Sequence, residues 1–123
     1  MVPYVHWLLR LALAGIFFYH GLGKFPVLER FAAMINMPVF VALLVALMET
    51  LGAVLILGGG FLNSAVTRAG AVLFVPIMLV AIVKVHWGQW GSMPSQAHPA
   101  GGMEFPVIIL ALSLYFLIRG NNV

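Results

Sequence analysis

An apolar run from Val39 to Leu57 is long enough to cross a bilayer, yet it holds a single carboxylate, Glu49, near its middle. A charged residue at the centre of a membrane helix costs about 2.5 to 3.5 kcal/mol on insertion scales, and each Leu, Ile, Val or Phe returns about 0.3 to 0.6. The aliphatic neighbours of Glu49 can therefore carry it into lipid, but they give no reason for its presence. Ionisable groups at that depth face a bundle interior or a watery cavity and have a partner there. Glu49 thus fixes the fold class and marks a candidate site at the same time.

The rest of the chain agrees with a membrane assignment. Hydrophobic residues make up 63% of the 123 and charged ones only 7%, far from the balance of a soluble domain. At roughly 20 residues per crossing, the chain is expected to form one domain, 1–123, an all-α integral membrane four-helix bundle. Its helices are expected at about 4–22, 38–57, 65–86 and 103–118. The first is expected to stay in the mature protein, because it ends in His20-Gly-Leu-Gly-Lys24 and not in a small-residue cleavage site. Pro38 suits a first helical turn, Gly58-Gly59-Gly60 is expected to end the second helix, and Pro76 to kink the third. Ala12, Ala14, Gly15, Gly52, Ala53, Ala69, Gly70 and Ala71 suit close helix packing in lipid. The absence of cysteine excludes disulfides, iron–sulfur clusters, covalent haem and a thiol nucleophile. The basic residues are scattered, without the face that would imply nucleic acid.

An even number of helices puts both termini on one side, which sorts the polar residues. His20, Lys24, Lys84, His86 and Glu104 are expected at the opposite mouth, each within about two turns of a helix end. On the termini side, Arg10 is the best depth match for Glu49, and Arg68 can reach toward it. Glu49 with Arg10 and Arg68 reads equally as a structural ion pair or as a proton relay. Lys24 and Lys84 fit snorkelling interface residues or ligand contacts, His6 and His98 interfacial ones, and Trp7, Trp87 and Trp90 an aromatic belt. His20 fits a ligand contact or a cap on terminal carbonyls. His20, His86 and Glu104 together would also serve as ligands for a transition metal, and the two histidines as axial ligands of a haem.

His20-Gly-Leu-Gly-Lys24-Phe25, Glu49-Thr-Leu-Gly52-Ala53, Thr67-Arg68, Val85-His86 and Gly101-Gly102-Met-Glu104-Phe105-Pro106 together resemble the DoxX family over nearly the whole chain. The resemblance implies a four-helix protein of the prokaryotic cytoplasmic membrane, associated with quinone-linked oxidoreductases such as those that oxidise thiosulfate. Carried over by motif, its functional candidates are Arg10, His20, Lys24, Glu49, Arg68, His86 and Glu104.

The expected function is that of a membrane subunit of a quinone-linked oxidoreductase, binding a quinone or quinol head group at the His/Lys/Glu mouth. His20, Lys24, His86 and Glu104 are its catalytic candidates, and His20, Lys24, Lys84 and His86 would hold the cofactor. The chain contains no electron carrier of its own, so a redox subunit must supply electrons. A non-catalytic assembly subunit of a larger respiratory or oxidase complex is the competing expectation, and a metal- or haem-binding membrane protein a third. The expected surroundings are the bilayer, other membrane or redox subunits and a second copy of the chain. Arg10, Arg68 and Arg119 balance Lys24, Arg30 and Lys84 across the membrane, a tie under the positive-inside rule; cytoplasmic termini are the working expectation.

Overall fold

The computed structural model describes residues 2–123 and is all-helical. A short 3-10 turn leads into α1 (His6–Lys24); α2 (Leu28–Ile35), α3 (Val39–Phe61), α4 (Ser64–Ala81) and α5 (Glu104–Arg119) follow. Phe25-Pro26-Val27 forms a tight turn between α1 and α2. Pro26 lacks an amide hydrogen and so cannot continue the α-helical bonding, which interrupts α1 there while the rod remains helical from residue 6 to 35. The first rod, α3, and α4 with its extension to His86 are each long and apolar enough to cross a membrane. With α5 they make a four-helix membrane bundle.

Three details differ from expectation. The second crossing does not stop at Gly58: α3 runs through all three glycines to Phe61. Gly59 and Gly60 are packing positions, since a Cβ on Gly59 would collide with Thr67 Oγ1 and one on Gly60 would lie 2.7 Å from the Trp7 ring, whereas Gly58 has nothing within 4 Å. The amphipathic α2 falls between the expected helices at 4–22 and 38–57; its left-handed Asn36 ends it, with the Met37 amide donating to Ala32 O at 3.0 Å. α4 passes into a π-helical turn, Ile82–His86, which brings its last residues round toward the bundle interior.

α1 packs on α3, α3 on α4, and α4 on α5, each pair antiparallel, while α1 and α5 touch little. Hydrophobic burial does not hold helices together in lipid; small residues that admit close contact do so here. Ala14, Gly52, Ala53, Gly70 and Ala71 are buried at these seams, whereas Ala12, Gly15 and Ala69 face outward. A Cβ on Gly70 would lie 2.9 Å from Gly52 O. At mid-depth Phe17 and Phe74 stack with centroids 3.6 Å apart and planes 3° from parallel. With Leu13, Ile56, Ile109 and Phe116 they form an apolar floor that divides the bundle into two polar compartments.

Candidate functional site

The compartment away from the termini is a cavity of about 420 Å³, within the range of small-molecule sites. It has Phe17 at its base and is walled by aliphatic and methionine side chains, including Met34, Met48 and Ile109. Its ionisable residues are His20, Lys24, Glu49 and His86. An open groove between α1 and α2 adjoins it and shares His20, Lys24, Phe31 and Met34. Those four side chains stand between the cavity and the outer face of α1 and α2.

Glu49 pairs with Lys24, not with either arginine. Lys24 Nζ lies 3.0 Å from Oε1 and 3.2 Å from Oε2, and their side chains are 15% and 3% exposed. The expected pairing with Arg10 or Arg68 fails because α3 is longer than expected. Glu49 stands twelve residues before Phe61, about 18 Å along the helix, while Arg10 lies only about 6 Å into α1. Gly21 closes the gap between α1 and α3 at the level of Glu49, which brings Lys24, three residues on, within reach. The ammonium also donates to His20 O at 3.2 Å and lies 4.9 Å from the Phe31 ring centroid. The ammonium thus lies against three oxygens, two of them on Glu49, and this ion pair ties α1 to α3.

His86, the last residue of the π-helical turn, is half-buried, with Nδ1 2.9 Å from Gly101 O. The long loop before α5 folds back on itself to place that carbonyl. Gly102, Met103 and Glu104 amides donate to Gly91, Gln89 and Trp90 carbonyls at 2.9, 2.7 and 2.8 Å. His98 is tied into this loop through Trp87 O at 2.5 Å. His20 lines both the cavity and the groove, and its ring packs edge-on against Tyr19.

Lys84 and Glu104 do not join the mouth. Residues two apart on a helix point to different sides, so Lys84 turns away from the cavity that His86 lines and reaches Ile35 O at the end of α2, 3.4 Å away. Glu104 opens α5, where a carboxylate complements the helix dipole, and Phe105, Pro106 and Ile109 line the cavity instead. The metal set of His20, His86 and Glu104 is accordingly not assembled. Among the described residues no three His, Asp or Glu side chains gather to hold an ion.

The compartment on the termini side is organised by Arg10, which is fully buried. Its guanidinium donates to His6 Nδ1 at 2.9 Å, Ile56 O at 2.7 Å, Thr67 Oγ1 at 3.0 Å and Asn121 Oδ1 at 2.7 Å. Trp7 and Phe116 cover its faces. Asn121 also accepts from Thr67 Oγ1 and donates to Gly59 O. Arg68 reaches Ile118 O at 3.1 Å and closes the C-terminal end of α5. The apolar floor separates this network from Glu49, so Glu49, Arg10 and Arg68 are not one relay. His6 and Trp7 belong to the Arg10 network and not simply to the membrane interface.

The sequence shows no sign of Asn121, which carries no motif, or of Phe31, Met34 and Met48, which resemble ordinary membrane residues; Thr67 stands in the Thr67-Arg68 motif, but nothing there assigns it to the Arg10 network. Only the spacing of Phe31, Met34 and Ile35 along one helical face could have flagged α2.

The family model for DoxX matches residues 5–87. A Bacillus subtilis (strain 168) protein named "Putative oxidoreductase CatD" is 32% identical over 118 residues, covering 94% of this chain and 78% of that one. No solved structure matches. The matched span runs from the residue before α1 to the residue after His86 and so includes Arg10, His20, Lys24, Glu49, Arg68 and His86. On these grounds the chain belongs to the DoxX family.

Proposed function

We propose that the chain is the membrane subunit of a quinone-linked oxidoreductase and that its cavity seats a quinone or quinol head group. The observation that carries this reading is the cavity itself: apolar walls, four ionisable residues, and a groove open to the lipid side. Such a site suits a small polar ring on an apolar tail. The tail would lie in the groove between α1 and α2. Ring contacts would come from His20, from His86 and from the Glu49 carboxylate, with Lys24 holding that carboxylate in place. The bound group would carry electrons between a partner redox subunit and the membrane pool, and this chain would orient it and keep water out.

The relative's name as an oxidoreductase supports the reaction class. The chain would sit in a prokaryotic cytoplasmic membrane with cytoplasmic termini, beside redox subunits or a second copy of itself. The test is binding of a short-chain quinone and its quinol to purified protein in lipid nanodiscs. Saturable binding to the unaltered protein, lost in a Met48→Trp variant that fills the cavity, is the expected result. No saturable binding of either form would refute the proposal. A visible spectrum of the same sample reports haem directly.

A further inference from the structure

We infer that the cavity selects the hydroxyl-bearing, reduced form of its ring ligand, because the polar atoms it offers accept hydrogen bonds and few donate them. This deepens the head-group reading above and rests on it.

The first observation is at His86. A backbone carbonyl can only accept, so Nδ1, 2.9 Å from Gly101 O, carries the ring hydrogen. In the neutral imidazole that leaves Nε2 with a lone pair and no hydrogen. The carbonyl is not free to swing away: Gly101 has φ +86°, its amide donates to His98 O at 2.9 Å, and a Cβ there would lie 2.2 Å from Ser92 O. His86 therefore lines the cavity with its tautomer set from outside the cavity.

The second observation is at the opposite wall and is independent of the first. Among the described residues Lys24 is the one fixed cation lining the cavity; it donates to Glu49 Oε2 and His20 O, and Glu49 Oε1 lies 3.0 Å from its Nζ in the same ion pair. Its charge is committed to Glu49 and not to a ligand carbonyl. Two carboxylate oxygens offer about four lone-pair sites, so Glu49 keeps acceptor capacity after Lys24 takes its share.

His20 has no side-chain hydrogen bond among the described residues and can turn either nitrogen to a ligand, so it favours neither form. A ring with two hydroxyls meets acceptors at His86 and Glu49. A ring with two carbonyls sets acceptor against acceptor at both, and buried polar groups left without partners are costly. The inference concerns binding alone: the ligand's O–H donates, and no bond or electron moves.

The test compares three matched ligands on protein in lipid nanodiscs under anaerobic conditions: a decyl-benzoquinone, its hydroquinone, and the dimethyl ether of that hydroquinone. The hydroquinone is expected to bind about tenfold tighter than either, the effect of one or two well-made hydrogen bonds. In His86→Phe the preference is expected to fall toward parity while quinone affinity changes little. A quinone bound as tightly as the hydroquinone overturns the selection and leaves the head-group reading standing. Failure of all three to bind removes both. A readout without ligand is ¹⁵N NMR of the His86 ring, where the Nδ1–H form supports the inference and the Nε2–H form overturns it.

Discussion

Gly21 of α1 lies directly against Glu49 and Thr50 of α3: a Cβ at Gly21 would be 2.7 Å from Thr50 Oγ1 and 3.0 Å from both Glu49 Cβ and Thr50 N. Thr50 Oγ1 cannot yield easily, because it donates to Ala46 O at 2.8 Å. Forcing a methyl group into this seam should separate the helices and stretch the Lys24–Glu49 contact. Gly21→Ala is expected to cost about 1 to 3 kcal/mol, the usual range for overpacking. Gly15 on the same helix has nothing within 4 Å of its Cβ position. Gly15→Ala is therefore expected to be neutral or slightly stabilising, through helix propensity. Thermal unfolding of the two variants in the same detergent checks this, and equal melting temperatures would contradict the close approach.

Lys24 and Glu49 should show a strongly asymmetric double-mutant cycle. Removing the cation leaves a nearly buried carboxylate alone, a situation that costs about 3 to 5 kcal/mol. Removing the carboxylate charge is milder, because Lys24 sits at the end of α1, where its side chain can snorkel outward, and Gln still offers one acceptor. Lys24→Met is thus expected to destabilise more than Glu49→Gln, and the double variant to recover about 1 to 3 kcal/mol of the summed loss. Additive losses would show that the pair contributes no coupling.

The four helical segments and the need of Glu49 for a partner were legible because lipid imposes a simple rule: apolar runs of fixed length, with rare charges that need partners. Which partner Glu49 takes was not legible. Depth had to be counted from helix ends, and the run Gly58-Gly59-Gly60 reads as a terminus although the helix continues through it and Gly59 and Gly60 serve as packing positions. Moving that end to Phe61 places Glu49 beside Lys24 and away from Arg10. His86 could be named from its motif, but its orientation depends on a π-helical turn and on a carbonyl fifteen residues later. Hydrophobic periodicity encodes neither. Lys84 and Glu104 were placed at the mouth by depth alone, which ignores the direction in which a side chain leaves its helix.

The Arg10 network should matter for stability and not for the ligand. Four acceptors surround one guanidinium, and a lysine, with a single point charge, cannot serve a fork of that shape. Arg10→Lys is expected to lose about 2 to 4 kcal/mol as buried acceptors go unmet. Asn121→Ala should lose about 1 to 3 kcal/mol by removing the acceptor shared by Arg10 and Thr67 and the donor to Gly59. In both variants hydroquinone affinity of the folded protein is expected to stay within about twofold, since Arg10 lies about 21 Å from Lys24 along α1 and the Phe17–Phe74 floor intervenes. A large affinity change in either would mean that the two compartments communicate.

Gly101 gives a way to disturb the cavity without touching any residue that lines it. Its positive φ suits glycine, and a side chain there would collide with Ser92 O, so Gly101→Ala should push the loop away and withdraw the carbonyl from His86. The bundle seams lie elsewhere, and the loss of stability should be confined to local strain, of the order of 1 to 2 kcal/mol. The imidazole, however, loses what fixes its hydrogen on Nδ1, and both nitrogens become free to donate or accept. Hydroquinone and quinone should then bind with closer affinities than in the unaltered protein, while a substitution at the exposed Gly91, which has nothing within 4 Å of its Cβ position, leaves their ratio unchanged. Ligand titrations on the two glycine variants separate loop placement from loop composition: an unaltered preference in Gly101→Ala would mean that His86 is oriented by the helix alone.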